Sequence, residues 1–212
     1  MILRLLVLLL LGGCGADPLA VRALDRMKDA DAAGDWAALA AAETPACDGA
    51  DPVCAERQAL RARGCFRMAG NLSETEERRL LDCAVDSGRA ALAASGGTQA
   101  ARHAAWREGY AAALYARRQA RPGGEACADN GPLLEAADLL RAEAPGAARP
   151  RFLAASARLT AVARGCAPAV PPCPTLAAAR VLLSDPPAET ATQWRALGAA
   201  IEITARRLAC PT

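Results

Sequence analysis

Along most of the chain, apolar positions recur every three or four residues between polar, helix-stopping punctuation. Ala55, Ala59, Ala62, Phe66 and Ala69 make one stripe, Phe152, Ala155, Leu159 and Val162 a second, and Trp194, Leu197, Ile201 and Leu208 a third. This is the period of helices that bury one face. Asp17-Pro18 and Asp51-Pro52 each set an N-cap acid before a proline at the first helical position. Ser73-Glu74-Thr75-Glu76 reads as a capping box, and Gly34, Gly70 and Gly165 stand where helices should end. The pattern predicts nine helices, at about 17–33, 35–44, 52–69, 74–95, 98–120, 131–144, 149–165, 175–184 and 189–209. Short loops between them imply antiparallel neighbours.

Composition supports an all-α fold. Of the 212 residues, 56 are alanine and 27 leucine, against ten valines and isoleucines together and 3% aromatics. Such a chain has little with which to build a sheet, whereas alanine, leucine and arginine rank highest in helix propensity. All-β and doubly wound α/β folds are therefore excluded, and the length suits one domain. A formal net charge of +2 argues against a nucleic-acid partner, whose binding rests on phosphate neutralisation. The single histidine, His103, speaks against a metalloenzyme or a histidine-based hydrolase. No GxSxG, HExxH or P-loop is present, so the expectation is a non-enzyme without metal or cofactor. Glu74, Glu76 and Glu77 lie in a first helical turn, where they complement the macrodipole.

The first residues break the helical period. MILRLLVLLLLGG carries one arginine and an unbroken apolar run to Leu11, which is well short of the roughly 20 residues that a bilayer requires. It reads as a signal peptide. Leu11, Gly12, Gly13 and Cys14 resemble the lipobox of bacterial lipoproteins. The resemblance implies cleavage before Cys14 and acylation of that cysteine with fatty acids such as palmitate, which anchors the chain in a membrane. Gly15 follows the cysteine where an inner-membrane retention signal would place aspartate, so the resemblance implies the periplasmic face of the outer membrane. The expected organisation is a signal peptide at 1–13 and a helical domain at 14–212, whose 24 basic and 23 acidic residues nearly balance.

Eight further cysteines remain: Cys47, Cys54, Cys65, Cys83, Cys127, Cys166, Cys173 and Cys210. An even number in an exported chain reads as disulfides. A zinc site competes, but no two of them form CxxC and His103 has no ligand partner nearby in sequence. Eight cysteines admit about 105 pairings, so the choice must come from the fold.

Trp194, Leu197, Gly198 and Ile201 match the first-helix pattern of the tetratricopeptide repeat (TPR). Gly34, Asp35 and Trp36 match its turn, and Ala59, Ala62, Phe66 and Gly70 give a diluted copy of the first helix and its end. The chain thus resembles the TPR family, although the glycines are not spaced at the family's 34-residue period and the stretch 120–131 looks inserted. The resemblance implies a disulfide-stapled solenoid of antiparallel helix pairs. In that arrangement Cys47 would pair with Cys54, Cys65 with Cys83, Cys127 with Cys166 and Cys173 with Cys210. It also implies a groove lined by the first helix of each pair, which takes a peptide or a partner's helix. With Gly109 at the first-helix glycine position, His103, Trp106, Tyr110 and Leu114 would face the groove, near Arg102, Arg107 and Arg117. The expected function is a lipid-anchored, non-enzymatic binding module or assembly adaptor for a protein or peptide, alongside a structural, envelope-maintenance lipoprotein with no dedicated ligand. The alternative for Trp106 and Tyr110 is a place in the core.

Overall fold

A computed structural model describes residues 17–96, 100–121, 125–167 and 169–211, so the apolar leader and Cys14 lie outside the described residues. The described chain is helical throughout, with no strand. We number its helices α1 (Pro18–Ala33), α2 (Trp36–Ala41), α3 (Pro52–Met68), α4 (Glu74–Ala94), α5 (Ala100–Ala120), α6 (Ala126–Glu143), α7 (Ala148–Ala163), α8 (Pro172–Leu182) and α9 (Ala191–Arg207). Aspartate caps fix the starts of the first three helices. Asp17 accepts from the Leu19 N–H at 3.0 Å, Asp35 from Ala38 at 3.0 Å, and Asp51 from Val53 and Cys54 at 2.9 and 3.1 Å. Gly34 ends α1 in the left-handed region at φ 70°, which a residue with a Cβ adopts only at a cost. Ser73 does precede α4, but its side chain makes no capping bond; Glu76 instead holds Arg79, so the expected capping box is not formed.

Three boundaries differ from the sequence expectation. The second helix stops at Ala41 rather than near residue 44, because residues 42–48 run as an irregular strap across α3. Arg57 donates to the Glu43 carbonyl at 3.0 Å, Gln58 to the Pro45 carbonyl at 2.9 Å and Arg61 to the Thr44 hydroxyl at 3.1 Å. Pro45 also disfavours helix at the residue before it. Helix α6 starts at Ala126, five residues earlier than expected, and carries Pro132 in its interior. An interior proline costs about 3 kcal/mol, and the first turn is held nonetheless by tertiary bonds through Cys127, Asp129 and Asn130. Residues 126–131 of the stretch that looks inserted are therefore helix. Helix α8 begins at Pro172 rather than 175, since prolines in a first turn lack only N–H groups that have no partner there.

Each helix packs on the next in sequence. Among next-nearest helices, α1 packs along α3, and α3 with α5, α5 with α7 and α7 with α9 touch at a few residues each, all of the odd-numbered set. The helices thus lie in two layers, with the odd ones touching one another. Within the odd layer Asp31 pairs with Arg63, Glu56 with Arg102 and Glu108 with Arg149, while Phe152 of α7 meets Tyr115 of α5 in a T-shaped contact and Trp194 of α9 in a tilted one, ring centroids 6.0 Å apart in each. Of the 22 buried residues in the main core cluster, 11 are alanine, which brings the backbones close and leaves leucines to fill the gaps. A smaller cluster of Leu24, Met27, Leu39 and Leu60 seats α1 and α2 on α3. Leu208, placed in the third stripe by periodicity, follows the end of α9 and is exposed.

All eight cysteines of the described chain are bridged, so none is a thiolate available to zinc. Cys47 joins Cys54 (Cα–Cα 5.6 Å), Cys65 joins Cys83 (6.0 Å), Cys127 joins Cys166 (5.1 Å) and Cys173 joins Cys210 (5.3 Å). These are the four pairs that antiparallel neighbours imply, because each bridge links a helix to its neighbour or to the loop beside it.

Candidate functional site

A groove of about 460 Å³ opens between α3 and α5, with α4 as its floor. Helix α4 supplies small residues, Ala84, Gly88 and Ala91, so the floor lies deep. The walls carry Phe66 from α3 and Trp106 and Tyr110 from α5. Gly88 is a packing requirement, because a Cβ there would sit 3.2 Å from the Tyr110 ring. Gly109 is the reverse: a Cβ would meet nothing within 4 Å. It leaves the wall open between Trp106 and Tyr110.

The structure divides the four groove-stripe candidates. Trp106 and Tyr110 line the groove and are partly buried. His103 lies one turn before Trp106 in a cleft of about 80 Å³ that they share with Glu56 and Arg102, and its Nδ1 is 2.8 Å from the Arg107 guanidinium. Leu114 is fully buried in the main core and is corrected from groove contact to core residue. The reason is geometric. A step of four residues overshoots a 3.6-residue turn by about 40°, so over eight residues the stripe rotates by about 80° from the groove into the interior.

The arginines expected to serve the groove are also redistributed. Arg102 pairs with Glu56 at 3.5 Å, and Arg107 forms an ion pair with Glu143. Arg117 is buried, with bonds to Asp129 at 2.5 and 3.0 Å and to Asp82 at 3.0 Å. Burial works against its charge, but the two carboxylates outweigh that and hold its pKa above the usual arginine value. The charged groups that do line the groove are Arg63 and Arg67 on α3, Glu108 on α5 and Arg149 on α7. Sequence reasoning missed them, along with Phe66 as a wall residue, because they are spread over α3, α5 and α7 and only packing brings those helices together. A second cleft of about 340 Å³ lies between α6, α7 and the turn into α8, lined by Leu134, Val170, Pro171 and Pro174. Its one cation, Arg158, is already bound to Asp138 at 3.0 Å. Among the described residues no cluster of histidine, cysteine and carboxylates could hold a metal, and no helix is long and apolar enough to cross a membrane.

Compared with known protein families, curated proteins and solved structures, the chain matches none of them.

Proposed function

We propose that the chain is a non-enzymatic binding module or assembly adaptor, held at the periplasmic face of the outer membrane through lipidated Cys14, which engages a protein or peptide segment in the groove between α3 and α5. In this reading the helix pairs stack as a TPR-like solenoid whose odd-numbered helices form the ligand-facing layer. The observation that carries it is the groove itself. A chain with seven aromatic residues places three of them, Phe66, Trp106 and Tyr110, on the walls of one open cleft. Partly exposed aromatics over a floor of small residues are the composition of recognition surfaces. The only carboxylate in the lining is Glu108, engaged with Arg149, and among the described residues the lining holds no serine, cysteine or histidine.

The test places a photoreactive amino acid at Ala105, an exposed residue of the groove lining, in the membrane-bound protein, with Val181 as a control, since that side chain is 73% exposed and does not line the groove. A binding module gives one dominant adduct from position 105 that Trp106→Ala abolishes, with the melting temperature little changed. A structural lipoprotein gives no adduct. Cys14→Ala would release the protein from the membrane fraction if the anchor is as proposed.

A further inference from the structure

The identity of the groove's occupant is narrowed by its charges. Arg63, Arg67 and Arg149 face a single Glu108. Arg63 is taken, since it holds both oxygens of Asp31 at 2.9 and 2.7 Å. The other two are available to a ligand. Arg67 follows Arg63 by one turn and lies over the Trp36 ring, 5.6 Å from its centroid, with no carboxylate partner among the described residues. Stacking occupies the face of a guanidinium and leaves its N–H edge free to grip a carboxylate. Arg149 meets Glu108 at 3.3 Å, with the two side chains 55% and 45% exposed. Such a solvent-screened pair is weak enough for an incoming carboxylate to replace. Between the charged side chains the walls are alanines and aromatic rings, low-dielectric surface that focuses the arginine field on the groove. Between these cations Gly109 leaves open space in the middle of a helix, where glycine is otherwise a cost and no neighbour requires it.

We infer that the occupant is a segment of a partner protein carrying a large apolar anchor side chain flanked by carboxylates. The anchor lies against Trp106 and Tyr110 beside Gly109, and the carboxylates bind Arg67 and Arg149, the latter in place of Glu108. This inference rests on the groove being a binding site. It is tested with the full chain, disulfides formed, and three short fluorescein-labelled peptides that share a central phenylalanine flanked by glutamates, by glutamines or by lysines. Anisotropy should show the glutamate peptide binding tightest, and its affinity should fall with added salt. Arg67→Glu should weaken it roughly five- to tenfold while strengthening the lysine peptide. Gly109→Leu should block it with helicity and melting unimpaired. Equal binding of the glutamine and glutamate peptides, preference for the lysine peptide, or no effect of Arg67→Glu would each overturn the inference. Binding by none of the three overturns it as well, and the photoadduct at position 105 then shows whether the groove reading survives.

Discussion

Helix α5 serves two regions of opposite character. Its first half turns His103, Trp106 and Gly109 toward open clefts, while its second half buries Arg117 and Arg118 against α6 and α7. In the interior both of these guanidinium groups are held by fixed acceptors. Arg117 is held by Asp129 and Asp82, and Arg118, only 1% exposed, donates to Asn130 at 2.7 Å and to Ser156 at 2.6 Å beneath the Tyr115 ring. Because Arg118 has neutral partners and little water, burial pushes its pKa down to about 10. At the groove, Arg67 and Arg149 keep solvent and retain unsatisfied capacity. The same residue type therefore locks one end of the helix and leaves the other able to bind, and the deciding variable is whether a fixed acceptor already faces the guanidinium.

The sharpest way to break this contrast is Asp129→Ala, which would leave Arg117 buried beside the half-exposed Asp82 alone. A loss of about 3–5 kcal/mol is expected, visible as a drop in the denaturation midpoint; a change under 1 kcal/mol would mean that the interior arginine is not locked. Removing the Cys127–Cys166 bridge by double serine substitution should cost about 2–4 kcal/mol and fray the start of α6, where Pro132 weakens the helix. Hydrogen exchange over residues 126–131 would report it.

Two mid-helix glycines extend the contrast. Gly64→Ala would push a Cβ to 2.5 Å from the Leu39 Cβ and 2.7 Å from the Ala40 nitrogen, so a loss of about 1–3 kcal/mol is expected. Gly109→Ala meets open space and should raise stability by about 0.5–1 kcal/mol. Equal signs in thermal melts would contradict the packing described for one of the two sites. Trp106→Ala should cost little stability, about 1 kcal/mol, while removing binding; a large fall in melting temperature would return Trp106 to the core.

Much of the fold was legible because its signals are local. Asp17, Asp35 and Asp51 cap the helices that they precede, Gly34 closes α1, and alanine richness excludes sheets and implies close helix packing. The four disulfides follow once neighbours are antiparallel, since bridge partners must lie within a few ångströms whatever the side-chain detail. Less was legible at the site. Trp106 and Tyr110 stood out by rarity in an aromatic-poor chain, but Leu114 was drawn to the same face because a four-residue stripe looks straight in sequence and rotates in space, and Arg117, near in sequence, is buried away from the groove.

Local sequence alone determined helix order, most helix ends and the cysteines available for bridging, all of which depend on contacts within a few residues or on simple connectivity. Tertiary structure alone decided which side of α5 faces water, that α6 begins before Pro132, and that Phe66, Gly88, Arg67 and Arg149 from three other helices meet Trp106 and Tyr110 around one groove. Those outcomes depend on free energies of burial and charge pairing between residues tens of positions apart, which no local pattern records.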